Sequence, residues 1–88
     1  MDEHISEFFG EVKEIIRVRG KTYGIPEENF ARIASMWADY LGIPVEPFDV
    51  AIMMSMLKLA RLSEGYHRDS IVDAVSYLTL ADRFADDQ

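Results

Sequence analysis

Residues 47–63 read PFDVAIMMSMLKLARLS, and this stretch decides the predicted fold. Its apolar residues fall on almost every side of a helix instead of on one stripe: Val50, Ile52, Met53, Met54, Met56, Leu57, Leu59 and Leu62. A helix that is apolar all round normally packs against neighbours on several sides. We therefore expect a central helix that begins near Pro47 and ends near Ser63, shortly before Gly65.

Three further helices are predicted around this one, over about residues 2–18, 26–41 and 69–84. The first two carry apolar residues at helical spacing on one side and polar residues on the other. Gly20 is expected to end the first helix, followed by a loop over 20–26, and Gly42 is expected to end the second. The sequence thus predicts one all-α domain over residues 1–88, a four-helix bundle with its third and fourth helices at the centre.

Size and composition indicate association. The chain has 88 residues, no cysteine and 49% hydrophobic residues, so a small core without disulfides is expected to be completed by a second copy. The face of the fourth helix that carries Tyr77, Leu80 and Phe84 is the predicted contact surface. A homo-oligomer is therefore expected.

The charge excludes several classes of partner. The formal net charge is −7, whereas binding to nucleic-acid polymers or anionic membranes depends on a basic surface. No apolar run approaches the roughly 20 residues of a membrane span, and the acidic start of the chain does not resemble a leader peptide. We expect a cytoplasmic protein that can still hold a small phosphate ligand in a local basic pocket.

Three aspartates are candidate metal ligands. Asp69 and Asp73 are four residues apart, so they share a helix face and could bind Mg²⁺ through oxygen and water. Alternatively, Asp69 caps the helix with Ser70 and Asp73, and the spacing alone favours this interpretation. Asp49 lies on the apolar side of its helix, where it either pairs with N–H groups of the first turn or belongs to a site.

Two groups of cations are candidate ligand contacts. Lys58 and Arg61 interrupt the apolar helix and need either acidic partners or a ligand phosphate. Arg17, Arg19 and Lys21 precede Tyr23, either as cations that favour a helix C-terminus or as a cationic lip for the phosphate and base of a nucleotide. The cysteine nucleophile and the glycine-rich phosphate loops of other enzyme classes do not occur in the sequence.

Four segments carry a resemblance to a known family: RVRGKTYG at 17–24, NFARIASMWADYLG at 29–42, DVAIMMSMLKLAR at 49–61 and DSIVDAVSY at 69–77. Together they resemble a family of small phage and prophage proteins of unknown function, with similarity from about residue 17 to 80. A phage protein would act in the host cytoplasm.

That family is distantly similar to the MazG-like all-α nucleoside-triphosphate pyrophosphohydrolases. The resemblance implies an oligomeric helical bundle that holds Mg²⁺ with an E-E-x-x-E set and an E-x-x-D set on successive helices. Asp73 matches the aspartate of the second set, whereas Ser70 stands where its glutamate is expected. Asp49 followed by Met53 replaces the first set, without the paired glutamates.

Three functions follow as hypotheses. In a Mg²⁺-dependent pyrophosphohydrolase, Asp49, Asp69 and Asp73 would hold the metal, and Lys58 or Arg61 would neutralise the developing phosphate charge. In a protein that binds a nucleotide without turnover, the ligand would be contacted by Arg19, Lys21, Tyr23 and Asn29, with Arg61 nearby. In an acidic adaptor, the negative surface would bind and inhibit a host protein.

Overall fold

Four α-helices make up most of the computed structural model. The structure describes residues 2–86, so residues 1, 87 and 88 of the predicted domain lie outside the described residues. The helices are α1 (Glu3–Tyr23), α2 (Pro26–Leu41), α3 (Pro47–Ala60) and α4 (Arg68–Ala85), with a 3₁₀ turn at Arg61–Glu64 after α3. No strand occurs in the described part of the chain, so the prediction of an all-α fold with four helices is confirmed.

The first helix is longer than predicted. Gly20 lies inside α1, and the helix ends at Gly24, whose φ is 85° and whose N–H donates to the carbonyl of Gly20 at 3.0 Å. The prediction that Gly20 ends the helix was therefore wrong. One glycine inside a helix costs only about 1 kcal/mol relative to alanine, and the extra turn brings Arg19 and Tyr23 to the body of the protein.

The fourth helix is the centre of the bundle. Its buried residues lie on several sides: Ser70, Val72, Ala74, Ser76, Tyr77, Leu80, Ala81 and Phe84. The third helix packs along it through small residues such as Ala51 and Ser55, and the Ser55 hydroxyl donates to the carbonyl of Ala74 at 2.9 Å. Small buried side chains allow the two helix backbones to approach closely.

The predicted contact surface for a second copy is part of the core of this chain. Tyr77, Leu80 and Phe84 are only 8%, 4% and 2% exposed, which contradicts the prediction that this face is covered by another copy. Part of the cover is Phe30 of α2, whose ring centroid lies 5.1 Å from that of Phe84 and 6.2 Å from that of Tyr77.

The third helix is buried in the core on one side and exposed to solvent on the other. Val50 and Ala51 are fully buried, whereas Met53, Met56, Leu57 and Leu59 are about half exposed. The prediction that this helix packs against several neighbours holds for α4 and α2, but the apolar pattern did not indicate that its remaining side is exposed. Within residues 2–86, no helix combines the length and apolar character needed to cross a membrane.

Candidate functional site

A cavity of about 300 Å³ lies where the end of α1, the start of α2 and the middles of α3 and α4 meet. Its wall is mostly apolar and aromatic: Ile16, Phe30, Ile33, Met54, Tyr77 and Leu80. The polar side chains that line it are Arg19, Tyr23 and Asn29. Ligand pockets usually have this composition, an apolar wall with a few polar groups, and volumes of roughly 300–1,000 Å³.

Helix geometry explains why these polar residues meet. Ile16, Arg19 and Tyr23 are three and four residues apart, so they lie on one face of α1. Because α1 continues past Gly20, Tyr23 stays in register with Arg19. Pro26 begins α2 directly after the bend at Gly24, which places Asn29 at the same end of the cavity.

The structure therefore brings together three of the four residues predicted to bind a ligand, namely Arg19, Tyr23 and Asn29. Tyr23 is 60% exposed, and the side-chain amide of Asn29 has no hydrogen-bond partner among the described residues. Lys21 is exposed in the last turn of α1 and does not line the cavity.

Arg19 is the charged group on the cavity wall. Its Nη2 atom lies 3.3 Å from Oδ1 of Asp73, and its guanidinium carbon lies 4.6 Å from the centre of the Tyr77 ring. Its Nη1 atom is buried and has no hydrogen-bond partner within residues 2–86. A buried donor without a partner costs about 1–3 kcal/mol, and more in a charged group, so an acceptor at this position would stabilise the site.

Asp73 links Arg19 to a second cation. Its other oxygen, Oδ2, lies 3.1 Å from Nζ of Lys58, and the side chains of Lys58 and Asp73 are 14% and 16% exposed. The structure thus contains the acidic partner that was one of the two alternatives for Lys58. The contact with Arg19 was not predicted, although Arg19 falls in line with the apolar stripe of α1.

The other candidate cations lie apart from the cavity. Arg61 is exposed in the 3₁₀ turn and does not line the cavity. Arg17 points elsewhere on α1, where its Nε donates to Glu14 at 3.0 Å. The hydrogen bond with Arg17 lowers the pKa of the exposed Glu14 carboxyl below its ordinary value. Arg17 is therefore already paired.

The three predicted metal ligands do not converge. Asp49 forms a capping box with Glu46, whose N–H donates to Oδ2 of Asp49 at 2.9 Å. This is the first-turn alternative predicted for Asp49. Asp69 is exposed in the first turn of α4. No group of three or more carboxylate or histidine side chains placed to hold a metal occurs within residues 2–86.

The cap of α4 also differs from the predicted one. The N-cap residue is His67, whose Nδ1 accepts from the N–H of Ser70 at 3.2 Å. The prediction that Asp69 caps this helix was therefore wrong. A histidine ring nitrogen supplies the acceptor that serine, threonine or aspartate usually provides at this position. The signal for this cap is weak in the sequence, because histidine is not among the common N-cap residues.

Sequence reasoning missed Tyr77 as a cavity residue. Its position on a face that also carries Leu80 suggested a contact with another copy, whereas both residues line the cavity from α4. Periodicity alone cannot distinguish a helix face that is covered by α1 and α2 of the same chain from a face that is covered by a second copy.

Comparison with known proteins identifies related phage sequences. The family model described as "Domain of unknown function (DUF6378)" matches residues 7–85. The chain is 48% identical to the Gene 55 protein of Mycobacterium phage L5 over 61 residues, which cover 67% of this chain and 39% of that protein. It is 42% identical to the Gene 55 protein of Mycobacterium phage D29 over 66 residues, covering 74% of this chain and 44% of that protein.

The chain spans about two fifths of the length of these curated relatives. No solved structure matches it. The resemblance to a phage protein family of unknown function, expected from four sequence segments, is confirmed.

Proposed function

The chain belongs to the family described as a domain of unknown function, DUF6378, and within that family we propose that it binds a nucleotide in the cavity beside Arg19. The observation that carries the proposal is the guanidinium group on the cavity wall, with Nη1 buried and without a partner. A phosphate oxygen is a suitable acceptor, because the planar guanidinium group matches phosphate geometry.

The rest of the cavity supports a ligand with an aromatic part. The rings of Phe30, Tyr77 and Tyr23 and the side chains of Ile33 and Met54 offer apolar surface to a base. The free amide of Asn29 supplies both a donor and an acceptor for the edge of that base. A nucleotide combines a phosphate group for Arg19 with a base for the apolar wall. We propose that the protein binds this ligand in the host cytoplasm.

Isothermal titration calorimetry with nucleosides and their phosphates of all four bases tests this proposal. We expect saturable binding of at least one nucleotide and a matching rise in melting temperature. A ligand present at 100 times its Kd adds about 2.7 kcal/mol to the free energy of unfolding. Folded protein that shows neither heat nor thermal shift with any nucleotide at millimolar concentration would rule the proposal out.

Hydrolysis is the second candidate, as in the MazG-like pyrophosphohydrolases. It is favoured by one observation: Asp73, which matches the aspartate of their second metal motif, contacts Arg19 at the cavity. Mg²⁺ would have to bind Asp73 in place of Lys58 or Arg19, with water and ligand phosphate completing its coordination. Pyrophosphate release from a triphosphate in the presence of Mg²⁺ or Mn²⁺ would establish this activity, and binding without release would exclude it.

Association is proposed through a different surface from the predicted one. The exposed side of α3 carries Met53, Met56 and Leu57, which are 46%, 59% and 52% exposed and lie three and four residues apart. Contiguous exposed apolar side chains of this kind usually mark a contact surface. A second copy is the proposed occupant, and a host protein bound by an acidic adaptor is the alternative that a monomer in solution would favour.

A further inference from the structure

The charges around the cavity point to the number of phosphate groups on the ligand. Resting on the nucleotide site proposed above, we infer that the ligand carries a single phosphate group and not a di- or triphosphate. The number of phosphates is a separate property of the same cavity, since a nucleotide could bind there with one, two or three.

Two cations and one carboxylate set the charge balance beside the cavity. Arg19 and Lys58 each carry a positive charge, and both contact the same carboxylate, that of Asp73. The set therefore has a formal charge of +1, in side chains that are only 28%, 14% and 16% exposed. Partly buried charge without a counterion is unfavourable, and one anionic group compensates it.

The described lining of the cavity offers no second cation for further phosphates. Among the described residues that line it, Arg19 is the one charged residue. Arg17 is paired with Glu14, and Lys21 is exposed outside the lining. The protein as a whole has a formal charge of −7, so each additional phosphate would meet repulsion instead of a partner.

Volume leads to the same result. The cavity holds about 300 Å³, the lower end of the range for ligand pockets, which is roughly 300–1,000 Å³. A base and a sugar with one phosphate fit a site of this size, whereas a longer phosphate chain would extend through its open side into solvent. A 3′,5′-cyclic monophosphate carries one negative charge and a 5′-monophosphate about 1.5 to 2 at pH 7, so both are nearer to the charge of the set than a di- or triphosphate.

The experiment compares phosphate number on one nucleoside. Calorimetry of the full chain would use each nucleoside, its 5′-monophosphate, its 3′,5′-cyclic monophosphate, its diphosphate and its triphosphate. We expect a mono- or cyclic monophosphate to bind at least about ten times more tightly than the di- and triphosphate, and the free nucleoside to bind more weakly than either preferred form. Comparison of the 5′-monophosphate with the 3′,5′-cyclic monophosphate shows whether the site prefers a terminal phosphate or a cyclic phosphodiester.

Several outcomes would overturn the inference. Equal or tighter binding of a di- or triphosphate would overturn it while leaving the proposed nucleotide site intact. Equal binding of the free nucleoside would show that no phosphate is recognised. Absence of binding by every compound would instead remove the proposed function, and the inference with it.

Two variants test the charge argument itself. Lys58→Gln lowers the formal charge of the set to 0 without changing the cavity lining, so monophosphate affinity should fall about tenfold while nucleoside affinity stays the same. Asp73→Asn raises that charge to +2 and should shift the preference toward di- and triphosphates. The control is Lys13→Gln, which removes a cation from the exposed side of α1.

Nucleoside binding serves as the folding control for each variant, because it needs the intact cavity but not the charge balance. If Lys58→Gln binds the monophosphate as Lys13→Gln does, or if the phosphate preference is the same in Asp73→Asn as in the parent, the charge argument is wrong.

Discussion

Nζ of Lys58 lies 3.1 Å from Oδ2 of Asp73, in an ion pair whose two side chains are each less than one fifth exposed. Arg19 contacts the other oxygen of the same carboxylate at 3.3 Å. The carboxylate therefore joins α1, α3 and α4 at one point beside the cavity. Because burial removes solvent screening, this contact matters more than the exposed ion pairs elsewhere on the surface.

Loss of the Asp73 charge should destabilise the fold. Asp73→Asn leaves two partly buried cations without their counterion, and we expect the free energy of unfolding to fall by roughly 2–3 kcal/mol, somewhat less than for a fully buried pair. Asp69→Asn is the matched control, because Asp69 is exposed in the first turn of the same helix. Its effect should stay below about 1 kcal/mol. Urea denaturation of the two variants and the parent measures both values.

The same urea denaturation experiments, carried out with and without Mg²⁺, distinguish a set of ion pairs from a metal site. If Asp73 balances cations alone, Mg²⁺ should change parent and variant equally. A stabilisation by Mg²⁺ that is present in the parent and lost in Asp73→Asn would indicate a metal ligand. Equal stability of the Asp73 and Asp69 variants would contradict the importance assigned to the Lys58–Asp73 contact.

Three glycines should respond to alanine in opposite directions. Gly10 and Gly20 lie inside α1, and a Cβ added to either meets no other atom within 4 Å. Each alanine should therefore raise the free energy of unfolding by about 0.5–1 kcal/mol. Gly24 has φ 85° and ψ −165°, a backbone conformation that alanine adopts at a cost of about 1–3 kcal/mol.

Chemical denaturation of the three single variants measures these effects, and the Gly10 variant is the reference for an exposed helix position. Destabilisation by Gly20→Ala would contradict the continuous helix through Arg19 and Tyr23. A Gly24 variant as stable as the parent would contradict the positive φ at the end of α1.

Periodicity predicted most of the fold because it reports local geometry. The bounds of α2 were predicted correctly, since Pro26 and Gly42 are strong helix-boundary residues. Gly20 misled the prediction because a glycine can either end a helix or be tolerated within it, and the choice depends on tertiary contacts. The contacts of Arg19 with Asp73 and Tyr77 are of this kind.

The candidate site was predictable in part for the same reason. Arg19, Tyr23 and Asn29 were predicted to contact a ligand near the α1–α2 connection, and they line one cavity. Their link to Asp73 depends on how α1 lies across α4, which the sequence pattern does not specify. The apolar residues of α3 were expected to be buried, but one side of this helix is exposed. Composition alone does not distinguish a buried face from an exposed contact surface.

The exposed side of α3 should mediate self-association. We expect multi-angle light scattering to show a dimer or larger assembly of the parent at micromolar concentration. The double variant Met56→Lys, Leu57→Lys should be a monomer, because two charges would replace apolar contact surface. Met36→Lys is the control, since Met36 is 69% exposed on α2. A parent that is monomeric, or a double variant that associates like the parent, would contradict this surface.

Arg19 should control ligand affinity. The variant Arg19→Gln removes the charged donor from the cavity wall and leaves a shorter, neutral polar side chain in its place. A hydrogen bond to a charged group contributes about 1.5–3 kcal/mol, so the Kd of the preferred nucleotide should rise roughly 10- to 100-fold. Arg17→Gln removes the same charge from the same helix, but Arg17 is exposed and paired with Glu14, so its Kd should change less than about twofold. Calorimetry of both variants measures the difference, with nucleoside affinity as the check that the cavity is intact. Equal affinities of the two variants for the nucleotide would show that the guanidinium group beside Tyr77 does not hold the phosphate.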